Sequence, residues 1–396
     1  MPFQDSEIRE LRRDTPGIAE FADCIHFNNA GCSLPPNRVL ISVKEWLDTE
    51  ARIGGYALAA KRSFELEQGY ANIASVIGAQ ASEIAQMESA TVAWNRAFRA
   101  VPVGAGDNIV CSRLEYASNY LNFLRLKEDL NIEIRVAAER EFGGIDLEDL
   151  RSRCDERTRL IAVSHIPTQE GVVQDVRGVG RIAEDLDVLY LVDACQSIGQ
   201  VDIKVETIGC DFLSGTGRKY LRGPRGTGFL YVKSASLERL RPASIDLGSA
   251  SWDREDGYRW APAARRFETW EASQALRAGM SAAMTYLEDL GQSRVEERVR
   301  ALGAELRESL GKMDGVEVLD RGDDLGGIVT FVRKGEEPSV TQARLARSGV
   351  RMSTVVATDS LLAMQDRALS SVSRASVHYY NTSEEIGRFC GLLGRS

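Results

Sequence analysis

Residues 189–232 read LYLVDACQSIGQVDIKVETIGCDFLSGTGRKYLRGPRGTGFLYV, and this stretch decides the fold. Its opening, Leu189 to Val192, is an unbroken apolar run. Such a run is the mark of a strand covered on both faces, and strands of that kind belong to mostly parallel sheets. The run delivers Asp193 at its C-terminal end, the edge where open α/β sheets collect their ligands, and Gln196 follows shortly after. A second apolar segment leads to Ser214-Gly215-Thr216-Gly217-Arg218-Lys219, read as a small-residue turn that presents one lysine. Gly223-Pro224-Arg225-Gly226-Thr227-Gly228 then loops into the next strand. Neither GxGxxG nor GxxxxGK[ST] occurs, so the glycines are not a nucleotide signature. Each feature alone has an ordinary explanation. A lysine in a turn is usually a solvated surface group, and an aspartate ending a strand often caps a helix.

Outward from this stretch, short apolar runs alternate with helical patterns. Strands are expected at 108–112, 132–137, 160–166, 188–195 and 228–232, with helices at 116–129, 146–154 and 175–186. The character changes near Tyr286. One long amphipathic helix at 280–313 leads to strands at 316–319 and 327–332, a helix at 341–348 and a strand at 373–380. The expected organisation is a large domain over 16–285 and a small α+β domain over 286–396. Residues 1–15 pack on one of them, and Thr15-Pro16-Gly17 reads as a turn.

Composition closes several alternatives. The 396 residues are 43% hydrophobic and 27% charged, ordinary for a soluble protein, and the net charge is −9. An acidic chain without a long basic run is a poor partner for nucleic acid. No apolar stretch approaches the roughly 18 residues of a spanning helix, so no membrane partner is expected. The start, MPFQDSEIRELRRD, lacks the apolar core of a signal peptide, and a cytoplasmic location is expected. Seven scattered cysteines with no CxxC pair fit reduced thiols. Three histidines without HExxH leave no transition-metal site and disfavour a Ser–His–Asp hydrolase.

Together, Asp193, Gln196 and Lys219 in this order resemble the pyridoxal-phosphate site of class V aminotransferases, the cysteine desulfurase-like branch of fold-type I enzymes. Five further segments match in order: IHFNNAGCSLPP (25–36), ESATVAWN (88–95), LEYASN (114–119), SHIPTQEGVV (164–173) and RASVHYYNT (374–382). The resemblance implies an α/β fold of fold type I, with a mostly parallel sheet of about seven strands and a smaller α+β C-terminal domain. It also implies pyridoxal 5'-phosphate as cofactor, a small-molecule amino-acid substrate, and a homodimer with its site at the interface. Lys219 would hold the cofactor and take the Cα proton. Asp193 would face the pyridine nitrogen and keep it protonated. Gln196 would reach the phenolic oxygen, and Tyr116 would stack on the ring. Ser89, Ala90 and Thr91 would receive the phosphate at a helix N-terminus, with Thr216 as a second donor. Arg218 would either favour a neutral lysine or hold the phosphate. On the substrate side, Arg374 would grip a carboxylate, and Asn29 and Ala30 would line the pocket. His165 would either assist proton transfer or serve as a structural residue bonded to backbone.

Two departures from the family pattern narrow the chemistry. Residues 349–373, GVRMSTVVATDSLLAMQDRALSSVS, hold no cysteine where desulfurases carry their sulfur-accepting thiol. Residues 266–271 read RFETWE where desulfurases read RFEAGT, so Trp270 and Glu271 are expected to reshape the substrate entrance. With its other motifs, the chain looks most like the isopenicillin N epimerase and cysteine-conjugate C–S lyase branch. The leading expectation is a lyase that removes the Cα proton and expels sulfur from Cβ. The alternatives keep the cofactor: an aminotransferase, an epimerase, or an oxidative decarboxylase or deaminase.

Overall fold

Strands whose side chains are buried on both faces build the centre of the molecule. In the computed structural model, which describes residues 2–21 and 23–395, seven strands form one sheet. They are β1 (Ile84–Met87), β2 (Asn108–Ser112), β3 (Glu133–Ala137), β4 (Thr158–Ser164), β5 (Leu189–Asp193), β6 (Phe212–Thr216) and β7 (Gly228–Val232). Their order is β1-β7-β6-β5-β4-β2-β3. β7 is antiparallel to β1 and β6, and the other pairs are parallel. The alternation of a strand divides its side chains between two cores. Tyr190 and Val192 of β5 join Val179 and Ile182 of α3 (Val176–Asp185) on one face. Leu189 and Leu191 join Trp94 and Phe98 of α1 (Ala90–Ala100) and Phe123 of α2 (Ala117–Leu130) on the other.

The register aligns Ser164 with Asp193 and Asp193 with Ser214, so the C-terminal ends of β4 and β5 lie abreast and β6 runs on beside them to Thr216. Ser214 to Thr216, expected in a turn, belong to β6. Small residues are needed there because Gly215 presses its Cα against the Phe229 ring. β1 was not foreseen: at four residues it is too short to carry a period.

The expected single helix at 280–313 is two helices, α4 (Gln274–Leu290) and α5 (Gln292–Gly311). They break at Gly291, whose φ of 83° a side chain disfavours. α5 leads into a four-stranded antiparallel sheet, β8 (Val316–Val318), β9 (Ile328–Arg333), β10 (Ser353–Val356) and β11 (Ser371–Ser376), ordered β8-β9-β11-β10. Its core joins Leu302, Leu306 and Leu310 of α5 to Val329 and Phe331 of β9. Pro16 opens a short helix instead of a turn, as its fixed φ allows at a first helical position. The N-terminal helix Asp5–Arg13 is fastened by Arg12 to Glu385 at 2.9 Å and by Glu7 to Arg294 at 2.9 Å. Among the described residues, no helix is long and apolar enough to cross a membrane.

Candidate active site

Because β4 and β5 end abreast and β6 runs on beside them to Thr216, the residues that leave them are brought together. Asp193 ends β5 and is 8% exposed. Its Oδ1 accepts the Cys195 amide N–H at 2.9 Å, and its Oδ2 accepts Asn119 Nδ2–H at 2.9 Å. Asn119 lies in the first turn of α2 and also donates to Glu115 Oε2 at 3.4 Å. Neither residue was singled out from the sequence, although both sit in the LEYASN segment that was. Tyr116, between them, is the N-cap residue of α2 and stays 38% exposed, its ring free to cover something on this side.

Lys219 follows β6 by three residues and is half-buried beside Cys195. Burial raises the pKa of that thiol, and the neighbouring Lys219 charge only partly offsets the rise. Arg218 turns away and donates to the carbonyl of Gly31, so its guanidinium ties the 25–36 segment to the lysine turn. Thr216 is 4% exposed and donates to the Thr227 carbonyl at 3.4 Å. Ser89 is the N-cap of α1, its Oγ accepting the Val92 N–H at 3.2 Å, with Ala90 buried and Thr91 exposed beside it. Gly228 brings β7 against that cap: a Cβ there would sit 2.5 Å from the Ser89 carbonyl carbon and 2.8 Å from the Ala90 nitrogen. The helix N-terminus therefore faces the end of β7 with its first N–H groups unspent, a ready anion seat.

Gln196 is 4% exposed and gives Nε2–H to the Ala30 carbonyl at 3.1 Å, leaving Oε1 buried without a partner. The amide of Ala30 donates to Ser376 Oγ at 2.9 Å. Asn29 is fully buried and fully used: it donates to the Ser376 carbonyl at 2.8 Å and accepts from Ser33 Oγ at 3.0 Å. Its side chain holds the segment in place and offers no free atom.

Arg374 projects from β11, 5% exposed, and Nη1 donates to the carbonyl and to Oγ1 of Thr168 at 3.0 and 2.7 Å. Its Nε has no partner, and among the described residues no carboxylate pairs with it. Burial lowers its pKa to about 10, still a full charge at neutral pH. Thr168 is a further residue that the sequence reading passed over, although it lies inside SHIPTQEGVV.

His165 departs from expectation. Its backbone N–H bonds the Asp193 carbonyl at 2.9 Å, yet its ring lines a separate cavity of about 630 Å³ with Arg177 and Arg300. Burial, with Arg300 and Arg177 adding to it, lowers its pKa to about 3, so it is neutral at working pH. A strand end sends successive side chains to opposite sides, and the cavity that His165 lines includes neither Lys219 nor Asp193. Trp270, 59% exposed, lines a surface recess with Leu47, Tyr56 and Glu271.

The family described as aminotransferase class-V matches residues 25–389. A protein of Methanothermobacter thermautotrophicus named "Probable cysteine desulfurase" is 31% identical over 387 residues, covering 95% of each chain. The apo cysteine desulfurase of Thermococcus onnurineus NA1 superposes with a TM-score of 0.90 at 26% identity, over 98% of this chain and 97% of that one. The cystine C–S lyase C-DES, solved with its reaction product cysteine persulfide, superposes with a TM-score of 0.86 at 20% identity. That likeness, over 95% of this chain and 99% of the other, is one of fold.

Proposed function

The chain belongs to the class-V aminotransferase family, and from that premise we propose that it is a pyridoxal-phosphate-dependent lyase that cleaves the Cβ–S bond of a cysteine-derived amino acid. The residues present fit this cofactor. Asp193 keeps lone pairs free beside its two donors, and Gln196 holds an orphaned amide oxygen. Ser89 caps α1 with the backbone of Gly228 packed against it, a helix start that can receive a phosphate, and among the described residues no carboxylate is paired with Lys219.

Bound pyridoxal phosphate supplies an electron sink for the charge left at Cα when its proton departs. Asp193 holds the proton on the ring nitrogen, with Asn119 fixing the carboxylate. Arg374 grips the substrate carboxylate through the guanidinium edge that Thr168 leaves free, which orients Cα toward Lys219. Lys219 Nζ accepts the Cα proton. The Cβ–S bonding pair then leaves with sulfur, and the aminoacrylate released hydrolyses to pyruvate and ammonia.

The observation that carries this reading is the cysteine-free segment 349–373. It is filled by β10 and the short helices Ala357–Asp359 and Leu361–Asp366. Ser360 Oγ pins it to the Glu115 carbonyl at 3.1 Å, and Arg113 pairs with Asp366. Sulfur that leaves Cβ meets no thiol from this segment, so it departs with its substituent. The test is product analysis on purified holoenzyme given cystine, S-alkylcysteines and their sulfoxides. Pyruvate is expected in step with thiol from the S-alkylcysteines, persulfide from cystine and sulfenic acid from the sulfoxides, and Lys219→Ala abolishes both it and the cofactor absorbance. Alanine with protein-bound persulfide overturns the reading in favour of desulfuration. A keto acid matched by amino transfer, a racemised substrate, or oxygen uptake would assign one of the other fates.

The working unit we propose is a homodimer. The exposed cluster of Tyr56, Leu47 and Trp270 supports it, since large apolar patches on a lone chain are unfavourable in water.

A further inference from the structure

Glu115 lies between the end of β2 and the start of α2, 4% exposed, where four donors converge on it. Oε1 accepts from Ser112 Oγ at 3.0 Å and from the Ser164 amide at 2.8 Å. Oε2 accepts from Ser164 Oγ at 3.0 Å and from Asn119 Nδ2 at 3.4 Å. The same Asn119 nitrogen gives its second hydrogen to Asp193 Oδ2 at 2.9 Å. One amide thus bridges two carboxylates, and four accepted bonds are what an ionised carboxylate satisfies. The other titratable groups facing Glu115 are Tyr190 of β5 and Cys111 of β2, and burial keeps both neutral. Among the described residues, no lysine or arginine is bonded to Glu115. Asp193 likewise accepts only from the Cys195 amide and Asn119 among the described residues, so neither carboxylate is paired with a cation there.

We propose that Glu115 is a positioning residue for the cofactor's ring nitrogen, acting through Asn119 as the second anion behind Asp193. This rests on the reading of Asp193 given above. A cation placed at Asp193 relieves the repulsion between the two carboxylates, so ring protonation and Glu115 ionisation favour each other. Without that cation, burial, with the Asp193 charge adding to it, pushes the Glu115 pKa up to about 7. The ring's positive charge draws it lower, and the carboxyl releases a proton as the cofactor binds. Glu115 also fixes the amide of Asn119, because only with both N–H groups toward the carboxylates are all three groups satisfied.

The experiment uses the full chain, with Glu115→Gln as a neutral isostere and Asp193→Asn as control. Cofactor affinity, cofactor absorbance and steady-state rates are measured from pH 5.5 to 8.5. Wild-type affinity is expected to rise with pH by about fivefold more than that of E115Q. The wild-type kcat is expected to fall on an acid limb below neutrality. E115Q is expected to lose that limb and stay about tenfold lower, with KM changed less than threefold. A wild-type pH profile of affinity and absorbance in E115Q overturns the proposal. An unaltered affinity and spectrum in D193N would instead overturn the reading of Asp193, so the two failures are distinct. Should E115Q not fold, Asn119→Ala cuts the bridge and leaves Glu115 in its niche. The limb is then expected to shrink, and an unchanged limb refutes the proposal.

Discussion

At the scale of single residues, the site is a set of side chains whose bonding capacity the fold leaves unfilled. Arg374 is the plainest case: a buried guanidinium that has no acid partner among the described residues and is held in register by Thr168. Arg374→Lys keeps the charge but loses the planar fork and both bonds to Thr168. KM for the amino-acid substrate should rise at least tenfold while kcat falls less, read from initial rates. His165 makes a prediction of the opposite kind, about stability. The folded ring stays neutral down to about pH 3, whereas the unfolded chain takes up a proton near pH 6.5. Its pKa is depressed by folding, so stability is lost as pH falls below that unfolded value. By pH 5 the loss amounts to about 2 kcal/mol. Urea unfolding of wild type and His165→Asn at pH 7 and pH 5 should show that pH-dependent part only in wild type. At this scale the sequence told residue types and their order. It did not tell which way a ring turns, as His165 illustrates, because one residue's shift along a strand exchanges the two faces.

Elements matter here through where they end. β4 and β5 stop at one level with β6 two residues longer, and α1 and α2 start beside them, so strand ends and helix caps share one crevice. Gly228 sets the spacing of β7 and the α1 cap. Gly228→Ala would drive a methyl into the Ser89–Ala90 backbone, and a backbone neighbour yields only by moving the helix start. Pyridoxal-phosphate affinity should drop about tenfold, measured by absorbance titration, with the far-ultraviolet dichroism kept. The helices over 116–129 and 175–186 were legible from residue pattern alone, as was the alternation of the large sheet, whereas the long helices Asn37–Ile53 and Ser63–Ile77 were not singled out. Short or glycine-broken elements were not legible. β1 carries too few residues to show a period, and Gly215 within β6 looks like turn material until the Phe229 ring beside it is seen. The break at Gly291 was invisible for a related reason: the amphipathic pattern runs on through it, and only the backbone reverses sign.

On the scale of the whole molecule, the proposed homodimer rests on aromatic side chains left in water. Tyr56 at 81%, Trp252 at 77% and Trp270 at 59% exposure are large apolar surfaces with nothing over them. Sedimentation should give a dimer, and the double variant Tyr56→Ser with Trp270→Ser should shift it toward monomer with loss of activity. An active wild-type monomer would end the dimer proposal. The family, the main sheet and the lysine that follows β6 could all be read from the chain. Apolar period, strand-end aspartate and ordered motifs are local properties, and locality survives in a linear string. Only the tertiary structure decided that Arg218 spends its guanidinium on Gly31, that Asn29 is fully consumed within the fold, and that Asn119 joins Glu115 to Asp193. Those are pairings between distant segments, and a hydrogen bond's partner is set by three-dimensional approach that no residue's own chemistry specifies.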